Sequence, residues 1–557
     1  MRKAEDESLA PASPLKGDVT AVAPEDAGHL GSSSPGWFRA QTDWSWLVCL
    51  AMLGLALFSL LHPMLSSGLR RIPGDLGDAR LDNYILEHSF LWVAGRPDHS
   101  SFWDPPVFYP ERNVAANAET LLGAAPLYWL WRAARASPET AFQLWQLTVA
   151  ALNFLAARAL LRRGLGSSEV AADIGAFLFC AGAARAREIG HPQLMPQFYS
   201  LLALYAMVRL GEEPTPRRPG LWWLAGTAAL VLQLWASFYL AWFLVLGLAA
   251  LALWGLAASG PRRDMARVVR RDWRWAALCS LLGAAAIWPL VAHSRQAAAV
   301  LGWRPFAQTL PTMPGVTSWL AMGPGSWLFQ GTRFAAPGEV AVGLGWVTLC
   351  LALAGFWLAR RRSWAPPVLA ASFTLAVLAT RFPGGVTAWP LLLPWFPGGA
   401  AIRAVWRVAL ILLVPCTVGV AIAVDRVRRR RPAAAAILAL ACLLEQAYTS
   451  PSYLKEVARR RALRVAAQIS PGCRAFRAVV VARSPEEASN FASITYNLDA
   501  MFAQLLAGIP TSNGYGAQGV ILPGDEEHYS AHLRAQFERQ GLRPAEVCVV
   551  MLRGGSP

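Results

Sequence analysis

The sequence predicts an α-helical polytopic membrane protein of about eleven transmembrane helices, followed by a small α/β domain at its C-terminal end. Three observations carry this prediction. Hydrophobic residues make up 55% of the 557 positions and charged residues only 15%, whereas ordinary globular domains carry about a quarter charged residues. The 25 Trp are of a type that gathers at the membrane–water interface. Apolar runs recur along the chain, separated by short loops rich in arginine. Disordered, collagen-like and disulfide-scaffold classes are excluded as descriptions of the whole. The formal charge of +16 sits mostly in loops and no nucleic-acid-binding motif accompanies it, so a nucleic-acid partner is not expected.

Residues 1–43 mix Ser, Pro, Gly and both charges without apolar periodicity, and read as a disordered cytoplasmic tail. The first apolar run, 44–61, lacks a convincing cleavage site and reads as an uncleaved span. Further spans are expected near 141–160, 170–185, 196–210, 220–237, 239–257, 274–292, 339–359, 365–380, 405–424 and 432–447. Residues 44–449 thus form the transmembrane domain, including a long first outer loop, 67–140. Within that loop, 121–134 is apolar and Trp-rich but short, and reads as an interfacial helix.

Orientation follows from arginine. The loops carrying Arg158, Arg162 and Arg163, then Arg209, Arg217 and Arg218, then the run from Arg262 to Arg274, then Arg360 to Arg362, then Arg426 and Arg428 to Arg431 all fall on one side. That side is expected to be the cytoplasm, which puts the C-terminus outside. Arg70 and Arg71, directly after the first span, conflict locally with this assignment. Residues 450–557 alternate strand-like runs (476–482, 547–552) with helix-like ones (496–507, 528–540), which predicts an extracytoplasmic α/β domain. Six cysteines lie in apolar runs as packing residues. Cys473 and Cys548 lie on or beside the two predicted strands, and a disulfide is plausible in an oxidising compartment, although sequence leaves open whether their backbones approach closely enough.

The chemistry concentrates in the first outer loop, where Asp75, Asp78 and Asp82 crowd together. An ionised carboxylate near a substrate can act as a general base, and two or three oxygens can hold a divalent cation such as Mg or Mn. The competing reading is a solvated loop with helix-capping aspartates. His88 and the aromatic residues of the same loop suit sugar rings, or simply an interfacial belt. Glu119 is placed at the opening of the interfacial helix, as a reacting partner or a favourable charge near a helix start. His191 and Gln193 put polarity at a span boundary. Arg403 and Arg407, four apart, are expected on one helical turn at an outer membrane surface, where a lipid phosphate or an acid of the first loop would compensate them.

Several stretches resemble landmarks of the bacterial membrane glycosyltransferases of the GT-C fold. They are Gly77-Asp78 with LDNYILEH (81–88), FWDPPVFYPERN (102–113), AET (118–120), GHPQL (190–194), PGEVAVGLG (337–345), FPGGAAIRAVWR (396–407) and NGYG (513–516). The resemblance implies transfer of a sugar from a polyprenyl-phosphate carrier, with inversion, to a glycan, lipid or protein acceptor. Transfer would occur at the outer face of the bacterial cytoplasmic membrane. It implies a first-loop carboxylate as base, Asp78 ahead of Asp75 and Asp82. His88, Glu119, His191, Gln193, Arg403, Arg407 and Tyr515 are the candidate substrate-binding residues. A divalent metal on Asp75, Asp78 and Asp82 is allowed but not required. A lipid-linked glycan flippase and an inactive glycan-binding scaffold are the alternatives.

Overall fold

The computed structural model describes residues 45–302, 305–330, 340–393, 395–481, 495–516, 537–539, 541–543 and 546–553. The expected disordered tail 1–43, most of the helix-like stretch 528–540 and residues 337–339 of the PGEVAVGLG landmark lie outside them.

Every expected apolar stretch contains a helix. The chain opens with α1 (Ser45–Ser66), and the first loop contributes β1 (Arg71–Pro73), α2 (Asp78–Val93) and α3 (Ala125–Ala133). There follow α4 (Pro138–Ala159), α5 (Glu169–Ala181), a short α6 (Ala183–Arg187), α7 (Phe198–Gly211), α8 (Pro219–Ala236) and α9 (Phe238–Ala257). Then come α10 (Ser259–Leu301), kinked at Asp272, a short α11 (Phe306–Thr309), α12 (Trp346–Leu358), α13 (Ala365–Ala379), α14 (Val408–Arg428) and α15 (Pro432–Glu445). The C-terminal part adds β2 (Ser452–Leu454), α16 (Lys455–Ala466), β3 (Ala475–Val481), α17 (Tyr496–Ala507) and β4 (Val547–Arg553).

Among the described residues, five helical stretches are long and apolar enough to cross a membrane: α1, α4 continued to Gly164, α9, α10, and Val405–Arg428. Three shorter helices, α12, α13 and α15, are also apolar. Serine starts several of them, because the first backbone N–H groups of a helix have no internal partner. The Ser137 and Ser168 hydroxyls cap α4 and α5 in this way, at 3.3 and 3.4 Å from the Thr140 and Ala171 nitrogens. Large apolar side chains on α10, such as Leu281 at 71% and Trp288 at 60% exposure, face outward as a lipid-exposed helix would.

The helix ends sort into two groups. At one end, the Ser168 N–H donates to Asp425 (2.9 Å), Arg158 pairs with Asp173 (2.6 Å) and Arg271 donates to the Leu210 carbonyl (3.0 Å). The arginine-rich loops gather there. At the other end, the Ala183 N–H donates to Gln446 (2.8 Å), Thr120 to the Trp235 carbonyl (2.7 Å) and Asn113 to the His293 carbonyl (2.8 Å). All the candidate site residues belong to this second end.

The C-terminal part and the first loop interlock. Strands β1 and β2 pair antiparallel, Arg71 opposite Leu454 and Pro73 opposite Ser452. Arg71 spends its guanidinium on Ser452, with Nε 2.8 Å from the hydroxyl, which accounts for its place beside the first span. Strands β3 and β4 are parallel, Ala475 opposite Val547 through Val481 opposite Arg553. Their apolar faces join Val465 of α16 and Tyr496, Ala500 and Ala503 of α17 in a small core. Cys473 and Cys548 form a disulfide beside this pair, their Cα atoms 5.7 Å apart.

Helices α12 and α14 approach backbone to backbone. A Cβ on Gly355 would fall on the Gly419 carbonyl oxygen, and one on Gly419 would meet the Ala352 backbone. Small residues permit such close packing. Gly355→Val should therefore separate the two helices and cost about 1–3 kcal/mol by overpacking, read as a lowered Tm of the purified protein in detergent. An unchanged Tm would mean that this contact does not hold the helices together.

Candidate active site

Helix α2 begins at Asp78, directly after Gly77. A carboxylate in the first turn is favoured by the unpaired N–H groups there. Asp75 reinforces that start: its Oδ1 accepts the Gly77 and Ala79 N–H groups at 3.0 and 3.3 Å. Burial, then the charge of Asp78, push the Asp75 carboxyl up. Asp82, one turn along α2, is buried and accepts the Gln193 backbone N–H at 2.7 Å. With its amide turned so that nitrogen faces the carboxylate, the Gln193 side chain donates to the same oxygen at 2.7 Å. Burial, then Asp78, push Asp82 well above the ordinary range. Both neighbours of Asp78 are thus engaged in holding backbone.

Asp78 is different. Its Oδ2 lies 2.7 Å from His191 Nδ1, and its Oδ1 accepts the Tyr515 hydroxyl at 3.2 Å. Its side chain is 29% exposed, as is that of His191. Burial pushes its carboxyl up, but the hydrogen bond and charge of His191, the charge of Arg407 and the Tyr515 hydroxyl outweigh that and hold it below the usual value. Each carboxylate oxygen has two lone pairs, so both bonds leave room for a further donor. Burial and the Asp78 charge raise the Tyr515 phenol, which therefore stays a donor.

Arg407 is buried, with its guanidinium 4.4 Å from the centre of the Tyr239 ring and Nε 4.0 Å from Glu188 Oε2. Its charge reaches Asp78, Asp82 and Glu119. Arg403 is exposed, and its charge reaches Tyr515. The two arginines do not share a helical turn as expected: Arg407 closes a single 3-10 turn, Val405–Arg407, and Arg403 precedes it in an irregular segment. The Tyr239 hydroxyl accepts the Arg403 N–H at 3.2 Å, which pins that segment. Tyr239 is absent from the sequence reading because an aromatic residue at the start of an apolar run looks like any interfacial ring.

Glu119 does not open the interfacial helix, which starts six residues later at Ala125. Its carboxylate accepts the Phe238 and Tyr239 N–H groups at 3.0 and 3.4 Å. It caps α9, whose first donors lack partners. Burial pushes its pKa up to about 7, against the charge of Arg407 and these hydrogen bonds. His88 stands apart from Asp78. Its Nε2 lies 2.9 Å from the Phe102 carbonyl and its Nδ1 2.7 Å from Nδ1 of His99. Burial lowers both imidazoles to about 4. Two neutral rings fit these contacts if His88 donates to the carbonyl and accepts from His99. Its hydrogen-bonding capacity is then used up inside the loop.

His191 sits on a loop with a polar underlay. Buried Arg185 donates to the Phe179 and Leu194 carbonyls at 3.0 and 3.1 Å and to the Gln197 side chain. Asn153 of α4 donates to the Met195 carbonyl at 2.7 Å, and Gln233 of α8 to that of Pro196 at 2.8 Å. Tyr515 arrives on an equally determined turn. The Asn513 side chain bonds both backbone groups of Ala478, at 2.7 and 2.9 Å, and Phe108 N–H donates to the Asn513 carbonyl at 3.0 Å. Gly514 lies against the Phe108 ring, where any Cβ would collide. An apolar cleft walled by Leu81, Ile85, Phe102, Val107, Phe108 and Tyr515 runs along α2 away from Asp78.

Asp75, Asp78 and Asp82 do not converge as a metal-ligand set, since Asp75 and Asp82 are turned to backbone donors and Asp78 to His191 and Tyr515. Among the described residues no group of three or more His, Cys, Asp or Glu is placed to hold a metal ion. The arrangement instead presents one accessible carboxylate held ionised, beside one exposed and one buried cation.

The titration of Glu119 gives a test of this electrostatic layout. Its folded pKa of about 7 lies above the ordinary 4.5, so its contribution to stability is full below pH 4.5 and is lost as pH rises through about 7. Glu119→Gln keeps an oxygen for the α9 cap and removes that loss. The Tm of the variant should gain on that of the parent between about pH 5 and about pH 7.5; a pH-independent difference would contradict the assignment.

No family model and no curated protein matches the sequence. Solved structures do align with the fold. The single-particle cryo-EM structure of the arabinofuranosyltransferase AftD from Mycobacteria aligns at 16% identity and a TM-score of 0.48, over 78% of this chain. This chain spans 29% of the length of that protein. The crystal structure of ArnT from Cupriavidus metallidurans in the apo state aligns at 15% identity and a TM-score of 0.35, over 89% of each chain.

Proposed function

We propose that this chain is an inverting glycosyltransferase. It moves a sugar from a polyprenyl-phosphate carrier to a hydroxyl of a glycan, lipid or protein acceptor at the outer face of the bacterial cytoplasmic membrane. The observation that carries the reading is Asp78: accessible, held ionised by His191 and Arg407, and placed at the end of the helices remote from the arginine-rich loops.

In the proposed reaction the acceptor hydroxyl docks on a free lone pair of Asp78. As the acceptor oxygen attacks the anomeric carbon, its proton passes to the carboxylate, and the bond from that carbon to the carrier phosphate breaks on the opposite face. The phosphate leaves with both electrons of that bond. Its growing negative charge is met by Arg403, which is exposed and free to engage it, with Arg407 supplying a fixed field from below. His191 and Tyr515 hold Asp78 in the attacking geometry. No step is routed through a metal ion, because the three aspartates do not fit one.

Two features support the orientation. The arginine-rich ends suit the cytoplasmic side, and the Cys473–Cys548 disulfide suits an oxidising compartment. The placement of the acids also weighs against a flippase, since a transporter carries ionisable groups near the middle of its spans.

With reconstituted protein and a panel of polyprenyl-phosphate sugars, Asp78→Asn should reduce transfer by about 10²–10⁴-fold while leaving the Tm near that of the parent. Unchanged transfer would remove Asp78 from the mechanism, and movement of the carrier without bond formation would favour the flippase. His191→Ala removes the main influence lowering the Asp78 pKa. The acid limb of the pH–rate profile should therefore move to higher pH; a limb that stays in place would show that His191 does not hold the base ionised.

A further inference from the structure

Helix α10 is two helices joined at a break. Asp272 leaves helical geometry (φ −115°, ψ 16°), and its carboxylate is held there by Arg271 at 2.7 Å and the Trp223 indole at 3.2 Å. The part beyond the break is apolar and faces outward, with Leu278, Leu281, Leu282 and Trp288 all exposed. The part before it, 259–271, is amphipathic. Met265 and Val269, one turn apart, and Trp273 just past the break are 37%, 54% and 59% exposed, so their apolar row runs on into that of the span. Arg262, Arg263, Arg270 and Arg274 are exposed around this row.

We infer that the first half of α10 is a docking face for anionic phospholipid headgroups of the leaflet at the arginine-rich end of the bundle. The carboxylates nearby are already taken: Glu212 by Arg209, Glu213 and Asp264 by Arg267, and Asp272 by Arg271. Among the described residues no carboxylate pairs with Arg262, Arg263, Arg270 or Arg274. Arg263 donates its Nε to the Ser259 carbonyl at 3.1 Å, and the Arg274 guanidinium lies 5.6 Å from the centre of the Trp273 ring. Uncompensated guanidinium groups beside an exposed apolar row match a membrane surface. The row enters the acyl boundary, the arginine stems lie along it, and the heads reach phosphate oxygens. A zwitterionic headgroup brings its own cation and leaves the excess positive charge in place, whereas an anionic one removes it. An acidic protein also offers carboxylates, but it would have to cover a row that leads into the lipid-exposed span. The inference stands apart from the transfer reaction and holds whether or not the chain is an enzyme.

The test uses the full chain with Cys350→Ser, which removes the exposed free cysteine, and Val269→Cys, which carries a bimane fluorophore on the apolar row. The protein is reconstituted in vesicles of phosphatidylcholine and phosphatidylglycerol in equal parts, with the acyl chains of one lipid or the other brominated. Bromine quenches on contact, so brominated phosphatidylglycerol should quench at least about twofold more than brominated phosphatidylcholine. Replacing Arg262, Arg263, Arg270 and Arg274 together by glutamine should remove most of that preference. So should about 0.5 M NaCl with the arginines intact, where the Debye length falls to about 4 Å; this second measurement serves if the variant fails to fold. Equal quenching by the two lipids overturns the inference, as does a preference that survives either the substitutions or the salt. Absence of quenching by both lipids overturns it too, and leaves the face to an acidic protein.

Discussion

A buried carboxylate in the C-terminal part, Asp499, needs counter-charge, and it finds it on α2. Arg80 Nη1 lies 2.8 Å from one oxygen and Arg461 Nε 3.1 Å from the other. Both Arg80 and Asp499 are almost fully buried, where a charge without its partner is costly by several kcal/mol. The first loop and the C-terminal part therefore have to dock in this one register. Arg80 is two residues from Asp78, so the same constraint that docks them brings Tyr515 onto the proposed base. The hydrogen bond between the Tyr84 hydroxyl and Gln504, at 2.9 Å, and the Asn513 turn fix the angle of approach.

The helix bundle solves a parallel problem on the other side of Asp78. A loop bearing His191 leaves helical structure at the helix ends, and its carbonyls need donors that apolar helices do not offer. Arg185, Asn153 and Gln233 supply them from within the bundle. These polar residues would be unfavourable among apolar neighbours, yet each is paired, and a fully paired buried network is rigid. His191 is thereby delivered to Asp78 by groups that never touch it. Glu119 does the same for α9, and Glu445 for α12, where its carboxylate accepts the Val347 and Thr348 N–H groups at 2.8 and 2.9 Å.

Three acids within eight residues are thus three different things. Asp75 and Asp82 each turn one oxygen to backbone N–H groups and hold the frame, while Asp78 has both oxygens on side chains, those of His191 and Tyr515, and is held ionised. The same division applies to the arginines: Arg407 is enclosed by the Tyr239 ring and Glu188, and Arg403 is left outside. Identical side chains acquire different roles through what surrounds them, chiefly through burial.

The positions of the apolar helices, the strands at 475–481 and 547–553 and the helix at 496–507 were legible in the chain itself, because hydrophobic periodicity and run length are local properties. So was the crowding of acids after the first helix and the sorting of arginine into alternate loops. What no local pattern contained is which side chains meet. Asp78 and Tyr515 are 437 positions apart, and Glu119 caps a helix that begins more than a hundred residues later. His88 looked as promising as His191, yet one is consumed by His99 and the other reaches Asp78. Those outcomes depend on desolvation and on which donors and acceptors remain unpaired after the helices have packed, and only the tertiary structure decides them.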